Sequence, residues 1–310
     1  MMCERVHLSG AESCDEIQPS REGPIFVQPE LPDRTRRQGR GMKTNSIFEP
    51  RNRSRNMCGV STDEYATRAV PPYSSFAEVY DFLIGNTGLP LIRDAFRQSV
   101  VRFALEFRNL ADVGCGTGAF LSTLACRPVE LIGVDRSAAV LEVARRRLAG
   151  CPVTLLRQDI RRLSLPYRVD LITCQHQTIN YLTVVSDLRR AFLAIARNLR
   201  RGGAFLFDFL AQTPAMNRAR PIRMREVIRL PDNDVHFDAT VAPSRGRSTV
   251  RIRIGTAAGR RRPAVEVHKQ RWFKPRMLVR LLRATGFQLC EIRPVQGTED
   301  GWLHVVARRV

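Results

Sequence analysis

Lysines are few in this sequence, paired cysteines are missing and there is no long apolar run; each shortage narrows what the chain can be. Only three of its 50 basic residues are lysines (Lys43, Lys269 and Lys274), so arginine carries nearly all of the positive charge. Such a bias reflects genome composition more readily than a ligand. The eight cysteines, at 3, 14, 58, 115, 126, 151, 174 and 290, include no C-x-x-C pair. Scattered spacing speaks against a zinc site or a disulfide framework and for reduced thiols in the cytoplasm. No apolar stretch approaches the roughly 18 residues of a membrane span. The first thirty residues mix Glu4, Arg5, Glu12, Asp15 and Glu16 with no hydrophobic block, so no secretory signal is read there. Neither a metal-ligand constellation, a nucleophile triad nor a Walker loop is found, and no metal is expected.

What is present suits a sizeable core: 310 residues, 44% of them hydrophobic. The net charge of +20 raises nucleic acid as a partner, so its distribution matters. Residues 1–72 hold 11 basic and 10 acidic side chains, which leaves the excess to the remainder. Residues 1–70 lack hydrophobic periodicity and contain turn-rich, charged stretches such as 32–41. They are expected to be a disordered tail, in which Met42 and Met57 are alternative starts. Residues 71–310 are expected to form one domain.

From Tyr73 to Leu105 apolar residues recur at helical intervals, interrupted at Gly85–Gly88, which predicts two helices. Strand and helix then alternate: strand 108–113, helix 118–126, strand 129–135, helix 137–149, strands 152–157 and 168–174, helix 184–199, strand 203–210. Alternation of this kind predicts a parallel sheet covered on both faces. Beyond Phe209 come short alternating runs separated by turn residues, as in antiparallel hairpins. They predict an inserted β-layer over about 220–273, followed by a helix from Pro275 to Thr285 and strands near 287–295 and 301–309.

The segment Leu-Ala-Asp-Val-Gly-Cys-Gly-Thr-Gly, residues 110–118, ends an apolar run on an acid and breaks into glycines at alternate positions. Gly114, Gly116 and Gly118 let the backbone turn after a strand and approach a ligand closely. Gly114, Gly116 and Ala119 also satisfy the dinucleotide pattern G-x-G-x-x-[G/A], so the loop alone is compatible with a nicotinamide oxidoreductase. A second apolar run, Val129 to Asp135, ends in an acid whose carboxylate can accept two hydrogen bonds from a ribose diol. A third acid, Asp159, follows the apolar segment Val153 to Leu156.

With Asp112 included, the glycine stretch resembles motif I of the class I S-adenosylmethionine-dependent methyltransferases. The resemblance implies a doubly wound, mostly parallel seven-stranded α/β sheet, the Rossmann-like methyltransferase fold, with the inserted β-layer added and a last strand antiparallel to the others. It implies S-adenosyl-L-methionine as cofactor. Asp112, Gly114, Cys115, Gly116, Thr117 and Gly118 would face its methionine part and Asp135 its ribose, with Arg136 also at the cofactor. Asp159 and Ile160 would contact the adenine, with Cys174 and Tyr80 also lining that site. Residues 168–182, through Cys174-Gln175-His176-Gln177 to Asn180-Tyr181-Leu182, resemble the corresponding segment of small-molecule methyltransferases, including the N,N-dimethyltransferases of deoxysugars. The resemblance extends over roughly 73–310.

His176, Asn180 and Tyr181 are therefore the expected acceptor-side residues. This subgroup often has an acid where Gln177 stands, which leaves His176, with an unperturbed pKa near 6.5, as the expected base. His268 and Arg271 are placed where a substrate could reach them, although a solvated strand face explains them equally well. The resulting expectation is methyl transfer to nitrogen or oxygen of a small molecule by a cytoplasmic enzyme. A nucleic-acid methyltransferase and a non-catalytic cofactor-binding scaffold are the alternatives. The [Asn/Asp/Ser]-Pro-Pro-aromatic motif of amino-group base methylation is missing after the fourth strand, which disfavours nucleic acid. Some sugar methyltransferases pair subunits through a similar layer, so a homodimer is also open.

Overall fold

A computed structural model describes residues 68–82, 86–214, 220–229, 234–256, 263–297 and 301–310. Of the expected disordered tail only Arg68–Val70 falls among them. They form a strand, β1, hydrogen-bonded in parallel with a strand nearly two hundred residues away.

Seven strands make the main sheet. Asn109–Val113 (β2), Glu130–Asp135 (β3), Val153–Arg157 (β4), Val169–Cys174 (β5) and Leu199–Leu210 (β6) run parallel. The C-terminal pair Phe287–Pro294 (β11) and Trp302–Arg309 (β12) closes one edge, with β12 antiparallel to β6. The spatial order is β11-β12-β6-β5-β2-β3-β4. A reversed strand between the last two positions is foreign to the 3-2-1-4-5-6 order of dinucleotide-binding sheets, so topology separates the two readings that the glycine loop left open.

Helices cover both faces: Asn86–Arg102 (α1), Ala119–Ser122 (α2), Ala138–Arg147 (α3), Val185–Asn198 (α4) and Pro275–Ala284 (α5). On one face the buried stripe of α4, Leu188, Ala191, Phe192 and Ile195, packs on Phe205, Phe207 and Phe209 of β6. On the other, Ile92, Phe96 and Val100 of α1 meet Phe120, Leu121, Leu141 and Leu148. Burying each such side chain is worth roughly 1.5–3 kcal/mol, so the two layers hold the strand ends in register.

The inserted layer is also observed. Ile222–Arg229 (β7), Asp234–Ser244 (β8), Arg247–Thr256 (β9) and Ala264–Arg271 (β10) form antiparallel pairs, with β1 added at the β10 edge. The inner face, with Ile228, Val235, Phe237, Ala239, Ile252 and Ile254, lies against Phe76 and Val79. This packing sets the N-terminal segment over the mouth of the main sheet.

Two expected helices are corrected. Residues 72–79 are turns and bends, residues 80–82 are helical, and α1 follows from Asn86. The amides of Tyr73, Ser75 and Phe76 donate to the Glu266 carboxylate in place of helical carbonyls. The helix expected at 118–126 shrinks to the four residues of α2. Ser122 and Thr123 turn their hydroxyls onto the Ala119 and Phe120 carbonyls, the local competition by which such residues weaken helices.

Candidate active site

A cavity of about 310 Å³ opens at the carboxyl ends of β2, β3, β4 and β5, where open α/β sheets collect ligands. Its floor is the loop after β2. Gly114 has φ +81°, and a Cβ there would come within 2.5 Å of Thr178, so glycine is required for the loop to fold. Gly116 has φ +54°, yet a Cβ there would meet no atom within 4 Å. Its missing side chain leaves room on the cavity side for a ligand. Cys115, Thr117 and Arg136 also line the cavity. Gly118, also at positive φ, instead packs under Leu148.

Three carboxylates lie at three successive strand ends, each in a different setting. Asp112, at the end of β2, is buried and accepts a 2.7 Å hydrogen bond from the Thr173 hydroxyl. Burial pushes its pKa up to about 7. Asp135 ends β3, receives the amides of Gly116 at 3.1 Å and Ser137 at 2.8 Å, one on each oxygen, and is raised by burial. Each oxygen keeps acceptor capacity. Asp159 lines the cavity but forms a two-pronged ion pair with Arg161, whose hydrogen bonds hold its pKa below the usual range. Arg161 reaches on to Asp187 at 2.9 Å. Ile160, next in sequence, also lines the cavity.

The opposite wall is aromatic and polar: Tyr73, Tyr80, Gln175, His176 and Tyr181. Arg147 pairs with Asp81 at 2.6 Å, and Thr117 donates to the same carboxylate at 2.8 Å. These contacts tie the N-terminal segment to α3 and the glycine loop. Tyr80 shares a 3.0 Å hydrogen bond with His176 Nδ1. His176 and Gln177 both adopt left-handed backbone, at φ +52° and +60°, a costly state for such residues. The buried Asp208 of β6 offsets that cost by accepting both of their amides, at 2.8 and 2.6 Å.

Four expected site residues are revised. Gly118, packed under Leu148, is not part of the cavity lining. Cys174 is fully buried, its side chain in the core beneath β5, and is not part of the cavity lining. Alternation along the strand turns the next residue, Gln175, to the cavity instead, where its amide nitrogen is buried with no hydrogen-bond partner. Asn180 is also out of the cavity. Its amide donates to the Leu210 and Arg271 carbonyls at 3.1 and 2.6 Å, and its oxygen accepts from the Leu210 amide at 2.9 Å. Those bonds clamp β6 to β10. His176 lines the cavity, but burial lowers its pKa to about 4, so it is neutral at pH 7 and a far weaker base than an unperturbed imidazole.

One buried group was not singled out from sequence. Glu266 of β10 is fully buried. Besides the three amides of the N-terminal segment, it contacts His268 Nε2 at 3.0 Å. His268 Nδ1 contacts the Tyr181 hydroxyl at 3.1 Å, and Tyr181 contacts the Tyr73 hydroxyl at 2.7 Å. Two residues apart on one strand, Glu266 and His268 share a face, which is the signal the sequence did carry. Burial raises the Tyr181 phenol to about 12. Arg271 donates to the Thr183 carbonyl at 3.2 Å and is not part of the cavity lining. Among the described residues no group of three or more His, Cys, Asp or Glu side chains could hold a metal ion, and no helix is long and apolar enough to cross a membrane.

Comparison with known proteins agrees with this geometry. Residues 110–203 match a methyltransferase domain model. A dTDP-4-amino-2,3,4,6-tetradeoxy-D-glucose N,N-dimethyltransferase of Saccharopolyspora spinosa is 32% identical over 149 residues, 47% of this chain and 59% of that protein. The chain spans about half the length of the curated relatives it matches. Among solved structures, an S-adenosylmethionine-bound amino pentose methyltransferase, CalS10 of Micromonospora echinaspora, aligns with a TM-score of 0.56. It shares 26% identity, over 71% of this chain and 90% of that one. An S-adenosylmethionine-dependent methyltransferase of Clostridium acetobutylicum shares the fold, with a TM-score of 0.65 at 22% identity over 76% and 98% of the two chains. Sheet order, glycine loop and strand-end acids agree with these matches: residues 110–203 are similar to a methyltransferase domain, and the chain shares the fold of S-adenosylmethionine-dependent methyltransferases.

Proposed function

We propose that the protein transfers a methyl group from S-adenosyl-L-methionine to nitrogen or oxygen of a small molecule, with the amino group of a sugar as the favoured acceptor. The observation that carries this reading is the two-sided cavity: carboxylates and exposed glycine backbone on one side, phenols and an amide on the other. The residues fit the cofactor. Gly116 leaves space where a side chain would intrude, and Gln175 offers a buried, unpaired amide nitrogen. Asp135 presents acceptors suited to a diol, Asp112 an acid suited to an amino group, and Ile160 an apolar surface suited to a base. The acceptor preference rests on the amino-sugar relatives.

When bound, S-adenosylmethionine supplies a methyl group made electrophilic by its sulfonium. The chain's part is to bind, to hold the acceptor in line and to keep water out; orientation alone accounts for several kcal/mol of barrier in such reactions. Tyr73, Tyr80 and Tyr181 form a rigid wall for that purpose, and neutral His176 holds Tyr80. The test is formation of S-adenosylhomocysteine on incubation with S-adenosylmethionine and a panel of amino sugars, their hydroxy counterparts and an RNA duplex. Product only with RNA would contradict the reading.

A further inference from the structure

We propose that Glu266 and His268 fix the direction of the hydrogen bonds that join His268, Tyr181 and Tyr73. As a result, neither phenol has a proton to give to the cavity, Tyr73 presents lone pairs there, and a methylated group held by Tyr73 must itself carry an N–H or O–H. This deepens the reading above and rests on it.

The argument is a count of protons. Oε1 of Glu266 receives the amides of Ser75 and Phe76, and Oε2 receives the amide of Tyr73 and faces His268 Nε2. Three of those partners can only donate, and together with Nε2 they occupy the roughly four lone-pair positions of a carboxylate. A proton on either oxygen would be driven against one of them, so the group is ionised and Nε2 carries the hydrogen. In the neutral ring Nδ1 is then an acceptor, and the Tyr181 hydroxyl donates to it across 3.1 Å. A phenol has one proton. Having spent it on His268, Tyr181 can only accept, at its 2.7 Å contact with Tyr73 and from the Gln270 side chain, so Tyr73 donates to it and spends its own. Both tyrosines line the cavity; neither has a hydroxyl hydrogen left to give, and the free lone pairs are those of Tyr73.

Such a wall pairs with a donor and leaves an aprotic nucleophile facing unpaired lone pairs, a mismatch that discriminates strongly in buried sites. An amine bound through N–H to Tyr73 keeps its own lone pair free for the methyl. On transfer, the acceptor's lone pair forms the new bond to carbon, the carbon–sulfur bond breaks and its electron pair stays on sulfur. The N–H proton can then pass to Tyr73 oxygen as the Tyr73 proton passes to Tyr181 and the Tyr181 proton to His268 Nδ1, with Glu266 opposite to balance the imidazolium. Tyr73 is the catalytic residue; Tyr181, Glu266 and His268 are positioning residues.

The direct test is nitrogen NMR of the full chain labelled with 15N-histidine, the ring of His268 being assigned by through-bond correlation to its backbone. At pH 7 the proposal expects a neutral ring protonated at Nε2, and a shift of the Nδ1 signal in Tyr181→Phe. A ring protonated at Nδ1, a doubly protonated ring, or an Nδ1 signal that Tyr181→Phe leaves unmoved would overturn it. Should Tyr181→Phe not fold, Tyr73→Phe serves, since it withdraws the donor from Tyr181 and shifts the same signal. S-adenosylhomocysteine is titrated into the same sample: binding with the wrong tautomer sinks this inference alone, while the right tautomer without binding sinks the methyltransferase reading. Methylation of a tertiary amine or a thioether would also overturn it.

Discussion

Replacing Asn180 with alanine separates a catalytic residue from a structural one. The substitution removes all three hydrogen bonds of a fully buried side chain. The Leu210 carbonyl keeps its bond from the Phe273 amide, so its loss is small. The Leu210 amide and the Arg271 carbonyl lose the side-chain partner that clamps them. Leaving a buried polar group unpaired costs about 1–3 kcal/mol, so two of them plus the small void cost about 3–5 kcal/mol. For a domain of this size each kcal/mol moves the melting temperature by about 2–4 °C, giving a fall of roughly 10 °C. Thermal unfolding followed by circular dichroism reads this directly. S-adenosylhomocysteine binding, measured well below the transition, is expected to change by less than threefold. An unchanged melting temperature with binding or turnover abolished would refute the clamp and restore Asn180 to the catalytic wall.

Gly116→Ala is expected to fold, since its Cβ meets nothing and a left-handed alanine costs only about 1–2 kcal/mol, yet to weaken S-adenosylhomocysteine binding at least tenfold in calorimetry. Gly114→Ala, which drives a Cβ to 2.5 Å from Thr178, is expected to lower stability itself, seen in the urea midpoint. Asp112 gives a pH dependence. Its folded pKa, near 7, lies above the unfolded value of 3.8, so the folded state holds the proton more tightly. The penalty is absent below pH 4, grows between 4 and 7 and is complete above 7, where it reaches about 4 kcal/mol at 1.36 kcal/mol per unit. Asp112→Asn keeps an acceptor for Thr173 and is expected to stabilise the ligand-free protein at pH 8 but not at pH 4; equal urea midpoints at pH 8 would contradict the raised pKa. His176 acts with the opposite sign over nearly the same range: its folded pKa, near 4, lies below 6.5, so its contribution to stability falls as pH drops from about 6.5 to 4, and His176→Gln is expected to remove that contribution to the slope.

The parts legible in the sequence are those set by local periodicity. Buried parallel strands read as apolar runs ending in Asp112 and Asp135, the α4 stripe reads at helical spacing, and the hairpins of the inserted layer read by alternation and turn residues. The parts that were hidden depend on partners distant in sequence. Strand β1 has three residues and no pattern, and exists because β10 offers it an edge. The stretch 72–79 has helical spacing, but Glu266, some 190 positions later, takes its amides. Asn180 and Tyr181 are adjacent, and only the turn geometry after β5 sends one into the clamp and the other to the cavity. Cys174 and Gln175 differ by one step of strand alternation, which sequence reading did not resolve at the strand's last residue. His268 carries the right chemistry in the sequence, but its place behind Tyr181 depends on the packing of the β-layer on the N-terminal segment.

The central claim, that the cavity over Asp135 and the glycine loop holds S-adenosylmethionine, is tested most directly by calorimetric titration of the full chain with S-adenosylhomocysteine and, separately, NADH, each repeated with Asp135→Ala. The account predicts micromolar binding of S-adenosylhomocysteine, weakened at least tenfold in the folded variant well below its melting transition, and no comparable binding of NADH. No binding of S-adenosylhomocysteine to the wild-type chain, or tighter binding of NADH, would contradict it.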